Sequence, residues 1–132
     1  SAMILKEQEE KNNTKKNIKT LIEMRNQVDE LKNMLDNDEF SIEKFGAIIH
    51  RGWEMKKGLA SKVTNPEIDD YYSTACQYGA KGGKISGAGA GGFISFIADK
   101  KNQSTISSEL VKKGLIPYKF NLDSSGTMVY EI

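Results

Sequence analysis

The chain has 132 residues, enough for one domain with its own core, and its 38% apolar and 28% charged side chains are ordinary for a globular protein. A formal net charge of +1 argues against a nucleic-acid partner held mainly through its phosphates, and no apolar run approaches the roughly 18 residues that cross a bilayer. With Cys76 the sole cysteine and His50 the sole histidine, an internal disulfide and a cysteine metal cage are excluded, little room is left for a Ser-His-Asp or Cys-His site, and a reducing cytoplasm is the expected setting. The opening "SAM" reads as a cloning remnant. Residues 4–132 are then expected to form a single domain, and no signal peptide is visible.

The first third has helical period. Ile18, Leu21, Ile22, Arg25, Val28, Leu31 and Leu35 recur at spacings of three and four. "DNDEF" breaks this pattern, and Ser41 can cap a second helix that carries Ile42, Phe45, Ile48, Ile49, Gly52, Met55 and Leu59 and runs to about Gly58. Asn65 is suited to cap a third helix, with Pro66 at its first position and acidic residues in its first turn. Gly79 is suited to end it. The period then changes. "GKIS" and "FISFIAD" read as strands, "NQSTISSELVKKG" as a helix, and "IPYKFNL" and "TMVYEI" as two further strands joined by "DSSG". The expected fold class is α+β: helices first, then a small antiparallel sheet with one crossover helix, in two layers.

Between the first two strands lies "SGAGAGG", Ser86 to Gly92. Gly87, Gly89 and Gly92 satisfy G-x-G-x-x-G, but the dinucleotide motif needs a helix next, and a strand follows. The nucleotide P-loop also fails, because Ile85 rather than Ser or Thr follows Lys84 and Tyr78 stands at the first glycine position. What remains is a glycine loop joining two strands. A crowded β-connection would explain some of it, but a plain hairpin needs only one or two glycines. Glycine permits positive φ and close approach, and successive free N–H groups can form an anion-binding concavity. The surplus implies that something large comes up against this loop, whose glycines are expected at positive φ.

"GGKISGAGAGGFISF", Gly82 to Phe96, resembles the third signature motif of the GHMP kinases, written G-[AG]-K-[LI]-[ST]-G-A-G-G-G-G and followed by an apolar strand; Ala90 replaces one glycine. "IIHRGWEMKKGLASKVTNPEIDDYY", Ile48 to Tyr72, is similar to the segment before that motif in the D-glycero-D-manno-heptose 7-phosphate kinase branch and the related fucokinases. "ILKEQEEKNN" and the closing "IPYKFNLDSSGTMVYEI" resemble the two ends of the C-terminal domain there. The resemblance implies a ferredoxin-like C-terminal domain, separated from the N-terminal domain that carries the ATP phosphate loop and the acidic residue. It implies ATP and Mg2+ in the full-length enzyme, with none expected on this chain alone, and a sugar phosphate as acceptor. Ser86, Gly87, Ala88, Gly89, Ala90, Gly91 and Gly92 would form the phosphate or substrate loop. No catalytic or metal-binding residue is expected in this chain.

His50, Trp53 and Lys57 fall on one helix face by spacing. The resemblance of "HRGWEMKK" makes them, with Lys84, candidate sugar-phosphate contacts, expected on the same side of the domain as the glycine loop. Against this stands a half-buried Trp with solvated neighbours, and a strand-edge Lys as a plain surface charge. The expected partners are ATP, the sugar phosphate and the missing N-terminal domain, with no nucleic acid and no membrane. A face that should meet that domain makes self-association plausible. The leading expectation is therefore half of a sugar-phosphate kinase, inactive alone. The alternative is a non-catalytic α+β module for small-molecule binding or assembly.

Overall fold

A computed structural model describes residues 2–3, 6, 15–59, 63–87, 92–121 and 124–126. Its elements are α1 (Lys15–Asp36), α2 (Ile42–Leu59), α3 (Pro66–Gln77), β1 (Ala80–Ser86), β2 (Phe93–Ala98) and α4 (Lys100–Lys112). The class is α+β, as the change of period predicts.

The helix ends are set locally. Ser41 Oγ accepts the Lys44 N–H at 3.1 Å at the start of α2. Asn65 Oδ1 accepts the Ile68 N–H at 2.8 Å, and Pro66 follows as the first residue of α3. Each bond satisfies a donor that the helix itself leaves free. After α3 the chain leaves through Gly79 at φ 103°, a left-handed exit that ends the helix and aims β1 back across it.

β1 and β2 form an antiparallel hairpin, with Ala80 opposite Ala98 and Ser86 opposite Phe93. One face of β1 lies on α2. The approach is close because Gly82 and Gly46 face each other: a Cβ on Gly82 would strike the Gly46 carbonyl, and one on Gly46 would strike Lys81. The core sits between hairpin and helices. Trp53, Val63, Ile68, Tyr72 and Ile85 form one part. Ala75, Ala80, Ala98, Ile106 and Leu110 form the other, and Phe96 packs against both. Rings join the layers, Tyr72 to Phe96 at 5.7 Å and Tyr72 to Trp53 at 6.3 Å between centroids. α1 lies outside on α2, through Gln27 Nε2 to the Ile48 carbonyl at 2.9 Å and the Arg51–Glu30 ion pair.

One expectation is corrected. "IPYKFNL" alternates like a strand, yet residues 116–121 form none. Ile116, Tyr118 and Phe120 are 90%, 71% and 72% exposed. No layer buries that row, and Pro117 cannot donate to a ladder. Tyr118 meets the rim of the hairpin at Phe93, with ring centroids 5.5 Å apart. α4 therefore leads to no third strand among the described residues. Leu122 and "TMVYEI", 127–132, lie outside them.

Candidate functional site

Ser86 and Phe93 close the hairpin, and the glycine loop fills the gap between them. Gly87 and Gly92, its first and last residues, have φ of 120° and 109°, a region that only glycine enters without strain. Ala88, Gly89, Ala90 and Gly91 lie outside the described residues.

Lys56, on α2, holds the entrance to this loop. Its Nζ donates to the Gly87 carbonyl at 3.0 Å and lies 3.4 Å from the Ile85 carbonyl. Burial, and then the ammonium of Lys84, hold the Lys56 pKa below its ordinary value. Lys84 itself is exposed on β1. Both lysines line a cavity of about 480 Å3 between α1, α2 and the end of β1, which Ser86 and Gly87 also line. Helix α2 contributes Ile49, Gly52, Trp53 and Lys56 to that wall, a face with spacings of three and four. Among the described residues neither lysine pairs with a carboxylate.

The three candidates of α2 are placed differently. Trp53 is 1% exposed. Its ring belongs to the core, one edge lines the cavity, and its buried Nε1 has no partner among the described residues. His50 Nδ1 lies 2.7 Å from the Tyr72 hydroxyl. Tyr72 Oη accepts the buried Gly83 N–H at 3.1 Å, so its own proton is available to His50. Burial is the main reason that the Tyr72 pKa is pushed up to about 12. Lys57 pairs with Glu54 at 2.7 Å and sits 6.0 Å from the Trp53 ring centroid. Neither His50 nor Lys57 lines the cavity. Of the three, Trp53 lines the cavity, and its ring packs with Ile85, Tyr72 and Phe96 in the core.

Sequence reasoning missed Lys56. The signal was present: Lys56 follows Ile49, Gly52 and Trp53 by seven, four and three residues, which puts it on the face that packs against β1. Chemically, the arrangement offers two cations and a glycine turn at the rim of an apolar hollow. It suits a phosphate-bearing group.

Comparison with known proteins matches residues 25–115 to a family described as GHMP kinases C terminal. Over 85 residues the chain is 33% identical to the D-glycero-alpha-D-manno-heptose 7-phosphate kinase of Campylobacter jejuni, covering 64% of this chain and 25% of that protein. Over 62 residues it is 42% identical to the mevalonate kinase of Saccharolobus solfataricus, covering 41% of this chain and 20% of that protein. The chain thus spans about a quarter and a fifth of the curated relatives it matches.

Proposed function

Because the chain belongs to the GHMP kinase C-terminal family, we propose that it is the C-terminal half of an ATP-dependent small-molecule kinase whose acceptor is D-glycero-D-manno-heptose 7-phosphate. The observation that carries this reading is the glycine turn beside two lysines that pair with no carboxylate among the described residues, Lys56 bonded to its first carbonyl and Lys84 open to solvent. Phosphoryl transfer is mostly positioning and neutralisation of phosphate charge. In this reading the loop from Ser86 to Gly92 lies against the phosphates and the acceptor, and Lys84 supplies a mobile positive charge. His50, Trp53 and Lys57 act behind it. His50 faces the Tyr72 hydroxyl of α3 and Trp53 packs on Ile85 of β1, which fixes α2 so that Lys56 reaches the loop, while Lys57 pairs with Glu54 of its own helix.

ATP and Mg2+ serve the whole enzyme. Among the described residues no three His, Cys, Asp or Glu side chains group as a metal site. In this reading the magnesium ligands, the main phosphate cradle and the base belong to the N-terminal half. Among the described residues no helix is long and apolar enough to cross a membrane. With Cys76 the sole cysteine, the reading takes a reducing cytoplasm as the enzyme's setting.

The choice of acceptor rests on similarity to the heptose phosphate kinase. The test assays the longer polypeptide that carries this chain with ATP, magnesium and one acceptor at a time: heptose 7-phosphate, L-fucose or mevalonate. ADP release that depends on heptose 7-phosphate is the expected result. Release with another acceptor reassigns the substrate, and release with none favours a non-catalytic module.

A further inference from the structure

We infer that the cavity between α1, α2 and β1 is a binding site for a small amphiphilic anion, a phosphate or carboxylate attached to an alkyl or aromatic body. The inference concerns the hollow behind the glycine loop and shares Lys56 and Lys84 with the kinase reading. The walls are apolar: Met24, Val28 and Leu31 from α1, Ile48 and Ile49 from α2, and Ile85 from β1. A sugar would bring a hydroxyl on nearly every carbon, and besides the two lysines only Gln27 and Ser86 among the lining side chains could pair with them. An apolar body meets no such cost, and the volume of about 480 Å3 lies in the range of small-molecule sites.

The rim selects charge. Lys56 and Lys84 are its two ionisable residues, both cationic. Their ammonium groups disfavour each other, so an anion seated between them relieves a repulsion already present in the fold. Trp53 stands in the same wall, so its indole reports what the cavity holds. The site has a built-in consequence. Lys56 holds the carbonyl of Gly87, and an anion that draws on the same ammonium loosens the start of the glycine loop.

The test titrates hexyl phosphate into the chain and follows the fluorescence of Trp53, its single tryptophan. Inorganic phosphate and 1-hexanol are the comparison probes. Hexyl phosphate should saturate, and bind at least tenfold more tightly than either. Lys84→Met should weaken it about tenfold without weakening 1-hexanol. Gly52→Leu should weaken both, since a side chain there enters the cavity wall, its Cβ 3.0 Å from the Gln27 amide oxygen, and replacing a helical glycine favours the helix. Should that variant melt early, amide shifts in the unaltered chain decide instead, expected at Ile49, Lys56 and Ile85. Equal binding of 1-hexanol would overturn anion recognition. Equal binding of inorganic phosphate would reduce the site to a surface cation pair. Absence of saturation, or shifts elsewhere, would overturn the site altogether.

Discussion

Tyr72 ties three elements together with one hydroxyl. It accepts from Gly83 on β1 and faces His50 on α2, while its ring packs between Trp53 and Phe96. Removing that oxygen in Tyr72→Phe leaves the buried Gly83 N–H unpaired. The expected loss is about 1–2 kcal/mol at neutral pH, measured by chemical denaturation. The same residue predicts an alkaline limit. Its pKa is about 12 in the fold against an ordinary 10.0, so between those values the unfolded chain has lost a proton that the folded chain keeps. Stability is then fully present below pH 10 and falls as pH rises toward 12. Lys56 has the opposite sign. Its pKa is lowered, so the fold gains stability as pH rises toward 10.5. The difference between the parent chain and Tyr72→Phe isolates the tyrosine, and a difference that stays flat from pH 9 to 12 contradicts the assignment. None of these long-range pairings was legible in the sequence. Trp53 and Lys57 were conspicuous as residue types, but burial decides their roles. Lys56 differs from Lys57 by one position, a turn of about 100° around the helix, and only the packing of α2 on β1 tells the two apart.

At the scale of elements, local chemistry was legible and contact between elements was not. Asn65 with Pro66, Ser41 and Gly79 mark helix ends through bonds that span a few residues. Asn65→Ala should cost about 1 kcal/mol, measured as a lowered denaturation midpoint with unchanged slope; no change would mean that α3 begins without its cap. The close approach of α2 and β1 is of a different kind. Gly46 and Gly82 are far apart in sequence, and "GG" at 82–83 reads there as part of the loop motif. In the fold Gly82 serves helix-strand packing, since any side chain strikes the Gly46 carbonyl. Gly82→Ala should therefore destabilise by about 2–3 kcal/mol, whereas an exposed substitution such as Lys101→Ala should stay within about 0.5 kcal/mol. Equal effects at the two sites would contradict the close contact. The failed strand at Ile116 teaches the complement. Alternation announces a face, but a strand also needs a neighbour to pair with and a layer to cover it.

At the scale of the whole molecule, α1 keeps Ile18, Ile22 and Leu35 about half exposed, on a helix packed only along its other side. In the kinase reading a further domain offers apolar cover, and without it the chain should self-associate. Sedimentation velocity should show mass rising with concentration. Ile22→Glu should return the chain toward monomer at the same concentration, and a monomer at every concentration would remove this expectation. The central claim is that this chain supplies a loop and part of a pocket to a kinase whose phosphate cradle, magnesium ligands and base lie in another domain. The most direct measurement is ADP formation from ATP, magnesium and heptose 7-phosphate, first with the chain alone and then with a separately expressed N-terminal kinase half added. The account predicts no turnover alone and turnover in the mixture. Turnover by the chain alone would contradict it, as would a mixture that forms a complex and stays silent.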